Sequence, residues 1–189
     1  MRTLALFLCA ASLSACATTE DVVPVNYVPV AASQVSGASG VQVSVTTSDA
    51  RTTNRGRIST KLNGYGMEMA AIRSQGEVTD IVRGALESEL KARGYGLGAG
   101  GPTVNAAVET FYADFDVGML AGKAKGDVKL TASVSAPGGA ERYRTTVTGH
   151  AEKSVQLASG KNAAASLSEA LADALRKLFG DQAFLQALR

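Results

Sequence analysis

The sequence predicts an α+β fold: an antiparallel sheet with two amphipathic helices packed on one face, in two layers, preceded by a signal peptide and a flexible tether. Three observations carry this. Strict apolar/polar alternation over 41–47 and 127–136 marks strands with one covered and one wet face. Apolar residues recurring at helical spacing over 78–90 and 167–178 mark two helices able to cover that face. Residues 1–15 have the three-part layout of an export signal.

That leader reads MRT, then LALFLCAA, then SLSA: a positive charge, an apolar run and small residues before a cut. The run is too short to span a bilayer as a mature helix. Cys9 lies inside it and leaves with it. Leu13, Ser14, Ala15 and Cys16 resemble the bacterial lipobox, in which cleavage falls between the last small residue and the cysteine, here between Ala15 and Cys16. The resemblance implies that Cys16 becomes the lipidated first residue, carrying acyl chains such as palmitate. Each buried methylene contributes about 0.8 kcal/mol, and two or more chains hold a protein stably on a bilayer. The residue after the cysteine is Ala17 rather than Asp, which by the same resemblance implies the outer membrane, with the domain facing the periplasm. An ordinary signal peptide cut near Ala17, with Cys16 incidental, is the other arrangement. A disulfide between Cys9 and Cys16 would join two residues of one apolar segment, and no metal ligands lie beside them.

The chain divides into residues 1–15 (signal), 16–40 (lipidated cysteine and tether) and 41–189 (a single periplasmic α+β domain). Residues 17–40 hold two prolines, many small residues and no basic residue. As a flexible coil such a tether spans roughly 27 Å. An extended run of 22–30 along the domain edge is the alternative.

From residue 41 each element has a local reason. VQVSVTT (41–47) alternates Val41, Val43 and Val45 as a half-buried strand. Asn63 and Gly64, between Ile58/Thr60/Leu62 and Tyr65/Met67/Met69, signal a hairpin. SQGE (74–77) reads as a capping box ahead of a helix with Val78, Ile81, Val82, Ala85, Leu86 and Leu90 on one stripe. Gly94 supplies the left-handed residue that ends it. TVNAAVETFYADFDV (103–117) is a long strand whose alternation changes phase near Glu109 to Phe111, predicting a bulge. DVKLTASVSA (127–136) alternates cleanly, PGG (137–139) turns the chain, and RYRTTVTGHAEKSV (142–155) returns it. Asn162 is positioned to cap a helix carrying Leu167, Leu171, Ala174, Leu175 and Leu178. Gly180 breaks that helix, and Asp181 opens a short last one.

The blocks ALESELKARGY (85–95), GGPTV (100–104), FYADF (111–115), LASGKNAAASLSEAL (157–171) and FGDQAF (179–184), in this order and spacing, resemble the YajG family of bacterial outer-membrane lipoproteins. The resemblance runs over 41–189 and includes the lipobox; it is weakest over 48–73. It implies a small lipoprotein without an assigned activity. The implied layout is similar to that of accessory lipoproteins serving envelope transport and assembly machines, a likeness of fold that does not by itself assign function.

The chemistry-bearing patterns are sparse. Lys plus Arg number 19 and Asp plus Glu 17, a balance unlike that of a nucleic-acid binder. GLGAGG (96–101) matches a dinucleotide fingerprint literally, but it follows a helix and enters a strand, the reverse of the required context. His150 is the single histidine, placed on a strand with no nucleophile elbow in the chain, and reads as a surface residue. Asp114, Asp116 and Asp127 could gather around Ca²⁺ but share their loop with Lys123 and Lys125, and read as a solvated hairpin end. No cofactor is expected. Arg51, Arg55, Arg57, Lys61 and Arg73 face only Glu68 within 51–73, with Tyr65, Met67 and Met69 among them. A solvated hairpin accounts for this run. Its functional alternative makes Arg55, Arg57 and Tyr65 candidate partner-binding residues.

Two functions follow as expectations. The first is a non-enzymatic, lipid-anchored envelope lipoprotein whose periplasmic domain binds an envelope protein in an accessory or assembly role, exposed sheet edges permitting strand addition. The second is a lipoprotein that holds an anionic lipid or glycan through 51–73.

Overall fold

The computed structural model describes residues 18–29, 33–117 and 122–189. Among them, eight strands form one mixed sheet: β1 (Asp21–Val23), β2 (Gln42–Asp49), β3 (Ser59–Leu62), β4 (Glu68–Ser74), β5 (Gly96–Leu97), β6 (Thr103–Val117), β7 (Gly122–Ser135) and β8 (Glu141–Val155). The helices that accompany them are α1 (Val78–Ala92), α2 (Gly160–Gly180) and α3 (Gln182–Ala187).

The predicted antiparallel, two-layer arrangement with two helices is therefore corrected. Strand residues dominate, and β1/β4, β2/β5, β2/β6 and β3/β6 pair in parallel, while the short helix expected after Asp181 joins the two long ones. Alternation reports which face of a strand is buried; it carries no information about the direction of the neighbouring chain. β2 and β6 are separated by a hairpin and α1, a connection long enough for a parallel crossover.

β6 organises the sheet. β7 runs antiparallel along its whole length on one edge. On the other edge, β2 pairs with Thr103 through Val108, and β3 meets Ala113. The sheet thus forks, with β2 and β5 on one branch and β3, β4 and β1 on the other. The predicted bulge lies between Val108 and Thr110. It lets Val104, Ala106 and Val108 before it, and Phe111, Ala113 and Phe115 after it, all enter the core.

α1 lies against β2, β5 and β6, and α2 against β6, β7 and β8. Gly94, at φ +94°, closes α1 as expected: its N–H donates to Lys91 and that of Tyr95 to Leu90, a Schellman end with Tyr95 buried behind it. The capping box does not form. Glu77 is the N-cap without a side-chain bond, and the Ser74 hydroxyl donates to the Gly76 carbonyl. α2 begins ahead of the position read for Asn162, because Ser159 is the cap and accepts from the Asn162 N–H. Asp181 caps α3 by accepting from the Ala183 N–H at 2.8 Å.

Residues 21–28, assigned above to a tether, belong to the domain. β1 pairs with β4, Val25 is buried, and the Tyr27 hydroxyl donates to Glu89, a carboxylate 1% exposed that is also paired with Arg93. The Val35 N–H donates to the Arg93 carbonyl, and Ala38 is fully buried. Prolines and small residues suit an extended strap as well as they suit a coil.

Candidate functional site

The loop after β2 crosses the fork of the sheet and gathers the basic residues. Asn54 sits at φ +56°, a conformation asparagine tolerates, and turns the chain back. Arg51 is buried there, and its Nε and Nη2 each reach the Asp49 carboxylate at 2.9 Å. Its Nη1 and Nη2 groups also donate to the Asn54 and Arg55 carbonyls at 3.3 and 3.0 Å. Arg55 donates to the Asp49 carbonyl. Arg57 donates to Asn54 Oδ1 at 3.1 Å and to Glu68 at 3.2 Å. Arg73, on β4, makes a two-pronged pair with Glu20 at 2.8 and 2.9 Å and also donates to the Gly56 carbonyl.

These four arginines and the approach to α1, with Ser74, Glu77 and Val78, line a recess of about 260 Å³. Its electrostatics differ from the reading of 51–73 alone. Asp49 lies two residues before the window and Glu20 comes from the strap, so Glu68 is not the only acid facing the basic run. Lys61 likewise meets Asp21 at 2.7 Å. The hydrogen bond from Arg51 outweighs burial and holds the Asp49 carboxyl below its usual range. Arg73 does the same for Glu20. An anion entering this recess must displace exposed carboxylates, whereas the Arg51/Asp49 pair closes the fork. A short-range charge pattern (SDAR, 48–51) was the available signal for Asp49; none existed for Glu20.

Tyr65 is not brought to this recess. It stands at the tip of the β3–β4 hairpin, whose loop is five residues (63–67) rather than the two implied by Asn63 and Gly64. Asn63 Oδ1 accepts from the Tyr65 and Met67 N–H groups at 2.9 and 3.0 Å, and Gly66 takes φ +78°. Tyr65 is 91% and Met67 58% exposed. Ala15, Cys16 and Cys9 lie outside the described residues.

His150 is exposed, its Nδ1 bonded to Asp127. Asp116 pairs with Lys125 at 3.4 Å, and among the described residues no group of three or more His, Cys, Asp or Glu comes together to hold a metal. GLGAGG forms β5 and the lead into β6, its Gly101 pressed on the Gln42 backbone. Among the described strands β8 has a single neighbour, β7. Its open edge is capped midway: Lys177 donates to the Thr148 carbonyl at 2.7 Å and the His150 N–H donates to Asp173 at 3.2 Å. Peptide groups alternate sides along a strand, so Arg144 and Thr146 point theirs to this same edge. Beside them the sheet carries a hydroxyl-lined recess of about 380 Å³ with Thr46, Asn105, Thr131 and Ser135 on its wall.

A family model described as an uncharacterized lipoprotein matches residues 28–189. The chain belongs to this YajG-like family of lipoproteins, which associates it with the cell envelope. The family is uncharacterized and is not a known enzyme family. No curated protein matches the chain. Among solved structures it is similar to the DUF330 protein XCC0632 from Xanthomonas campestris, at 16% identity and a TM-score of 0.58, covering 86% of this chain and 93% of that one. A second structure, of an uncharacterized protein, matches at 11% identity and a TM-score of 0.46, covering 82% and 93%. At such identity the first likeness is one of fold. Among the described residues no helix is long and apolar enough to cross a membrane.

Proposed function

We propose that this chain is an outer-membrane lipoprotein anchored through Cys16, cleaved from its signal after Ala15, whose periplasmic domain binds an envelope protein without catalysing a reaction. The observation that carries this reading is the β8 edge. A strand of 15 residues with one neighbour among the described strands is a template for a partner strand. Its capped centre leaves the stretch around Arg144 and Thr146 for pairing, beside a polar recess that can receive the partner's side chains. The test is in-cell photo-crosslinking from Arg144, an exposed residue of the same edge, repeated in a chain that also carries Thr146→Pro. Proline there removes an outward N–H without touching the β7 ladder. A single protein adduct lost in Thr146→Pro is expected; random capture that survives the proline removes the reading.

The recess of four guanidiniums supports a second reading, the holding of an anionic lipid or glycan by Arg55 and Arg57, in which the anion takes the place of exposed Glu68 at Arg57. Changing both to Glu reverses the local charge while leaving Arg51 with Asp49. Retention of anionic lipid by the folded protein should then be lost, and unchanged retention excludes this site.

A further inference from the structure

The strand register places the start of the described chain and the tip of the β3–β4 hairpin at one end of the molecule. β1 is parallel to β4, with Asp21 level with Ile72. Going back from Asp21, the chain therefore runs toward the beginning of β4, where the hairpin turns. The Thr19 carbonyl agrees with this direction: it accepts from Lys61 Nζ at 2.8 Å, two residues from the turn at Asn63. β3 also runs parallel to β6 from Ser59 beside Ala113, so the hairpin tip shares its end with the close of β6, the start of β7 and the end of β8.

This end carries exposed apolar side chains. Tyr65 and Met67 stand at the tip, and Leu157, two residues past β8, is 71% exposed. Tyrosine suits a boundary between apolar and wet surroundings, with a ring for one and a hydroxyl for the other. The distance to the lipid-bearing position is short. The three-residue step from Cys16 to Thr19 reaches at most about 11 Å. The strap is fastened from Asp21 onward, so no long tether remains to lift the domain away.

From this juxtaposition we infer that the hairpin tip is a second membrane contact, with Tyr65 and Met67 lying in the head-group region of the bilayer that holds the anchor, and Leu157 beside them. The occupant of this surface is the lipid bilayer itself. The inference rests on the anchoring of Cys16 proposed above. It makes the domain a body held in one orientation, with the β7–β8 turn pointing into the periplasm. That turn lies about 45 Å away along β7, a strand of 14 residues.

The test uses the full-length, processed protein in phosphatidylethanolamine/phosphatidylglycerol vesicles containing brominated acyl chains. A bimane fluorophore is carried at Tyr65→Cys, Leu157→Cys or, at the far end, Ala140→Cys. A group at the head-group boundary lies about 5–10 Å into the bilayer, within reach of bromine quenching. Expected is loss of half or more of the emission at Tyr65→Cys, a loss at Leu157→Cys, and none at Ala140→Cys. Intact mass of the same preparation reports acylation of Cys16. Acylated protein with no quenching at Tyr65→Cys, or with equal quenching at all three positions, overturns the membrane contact alone. Protein without acyl chains overturns the anchor and the contact together.

Discussion

Tyr27 shows how one side chain decides whether a segment is tether or domain. Its hydroxyl donates to Glu89, a carboxylate with almost no water contact, which also holds Arg93. Burial, with the Glu89 hydrogen bond adding to it, raises the Tyr27 phenol above its ordinary range and keeps it a donor. Tyr27→Phe leaves that carboxylate short of a donor and should cost about 1–3 kcal/mol in urea unfolding. Asp49 is one of several carboxylates that contribute to the response to acid. Its carboxyl is held low by Arg51, so its contribution to stability is complete above the ordinary aspartate value of about 4. That contribution is lost as pH falls through the depressed folded value. The unfolding midpoint should drop below about pH 4, and Asp49→Asn should flatten that drop while lowering stability at pH 7. An acid limb that Asp49→Asn leaves unchanged would assign the loss to other carboxylates. Arg55 and Arg57 were legible as cations, but Asp49 and Glu20, which pair with arginines of the recess, come from outside the window in which the charge imbalance was counted.

At the scale of elements, several local rules worked, while two others, the capping box at Ser74 to Glu77 and the two-residue turn at Asn63 and Gly64, gave way to other hydrogen bonds. The bulge in β6, the alternation of β7, the glycine end of α1 and the Asp181 cap each depend on a few neighbouring residues. The start of α2 shows the limit of this reading, since Ser159 and Asn162 are both good caps and only the chain's path out of β8 selects the first. The fit of α2 on β8 was not legible at all. A Cβ on Gly149 would overlap the Ala170 carbonyl oxygen and crowd Ala174. The strand is therefore glycine where the helix is alanine, and the two approach closely. Gly149→Ala should force them apart and cost about 1–3 kcal/mol, read as a lower unfolding midpoint, while Ala140→Gly in the exposed turn should change little.

For the whole molecule, the strap and the fork matter most. Residues 21–28 bind both the hairpin branch and the helices: Asp21 meets Lys61 and the Gly160 N–H, and the Ser168 hydroxyl donates to the Asn26 carbonyl. Limited proteolysis of the native protein should spare the bond after Tyr27, which a free tether would expose. Cleavage there at the rate of an unfolded peptide would return the segment to a tether.

By itself the sequence determined the positions of the main strands and both long helices, and the family, because these rest on short-range spacing and on ordered blocks of residues. Only the tertiary structure decided the direction of the strand pairs, the docking of the strap and the neutralisation of the basic recess. Those depend on partners far apart in the chain, such as Glu20 with Arg73 and Tyr27 with Glu89, and local periodicity carries no record of which distant residue will arrive.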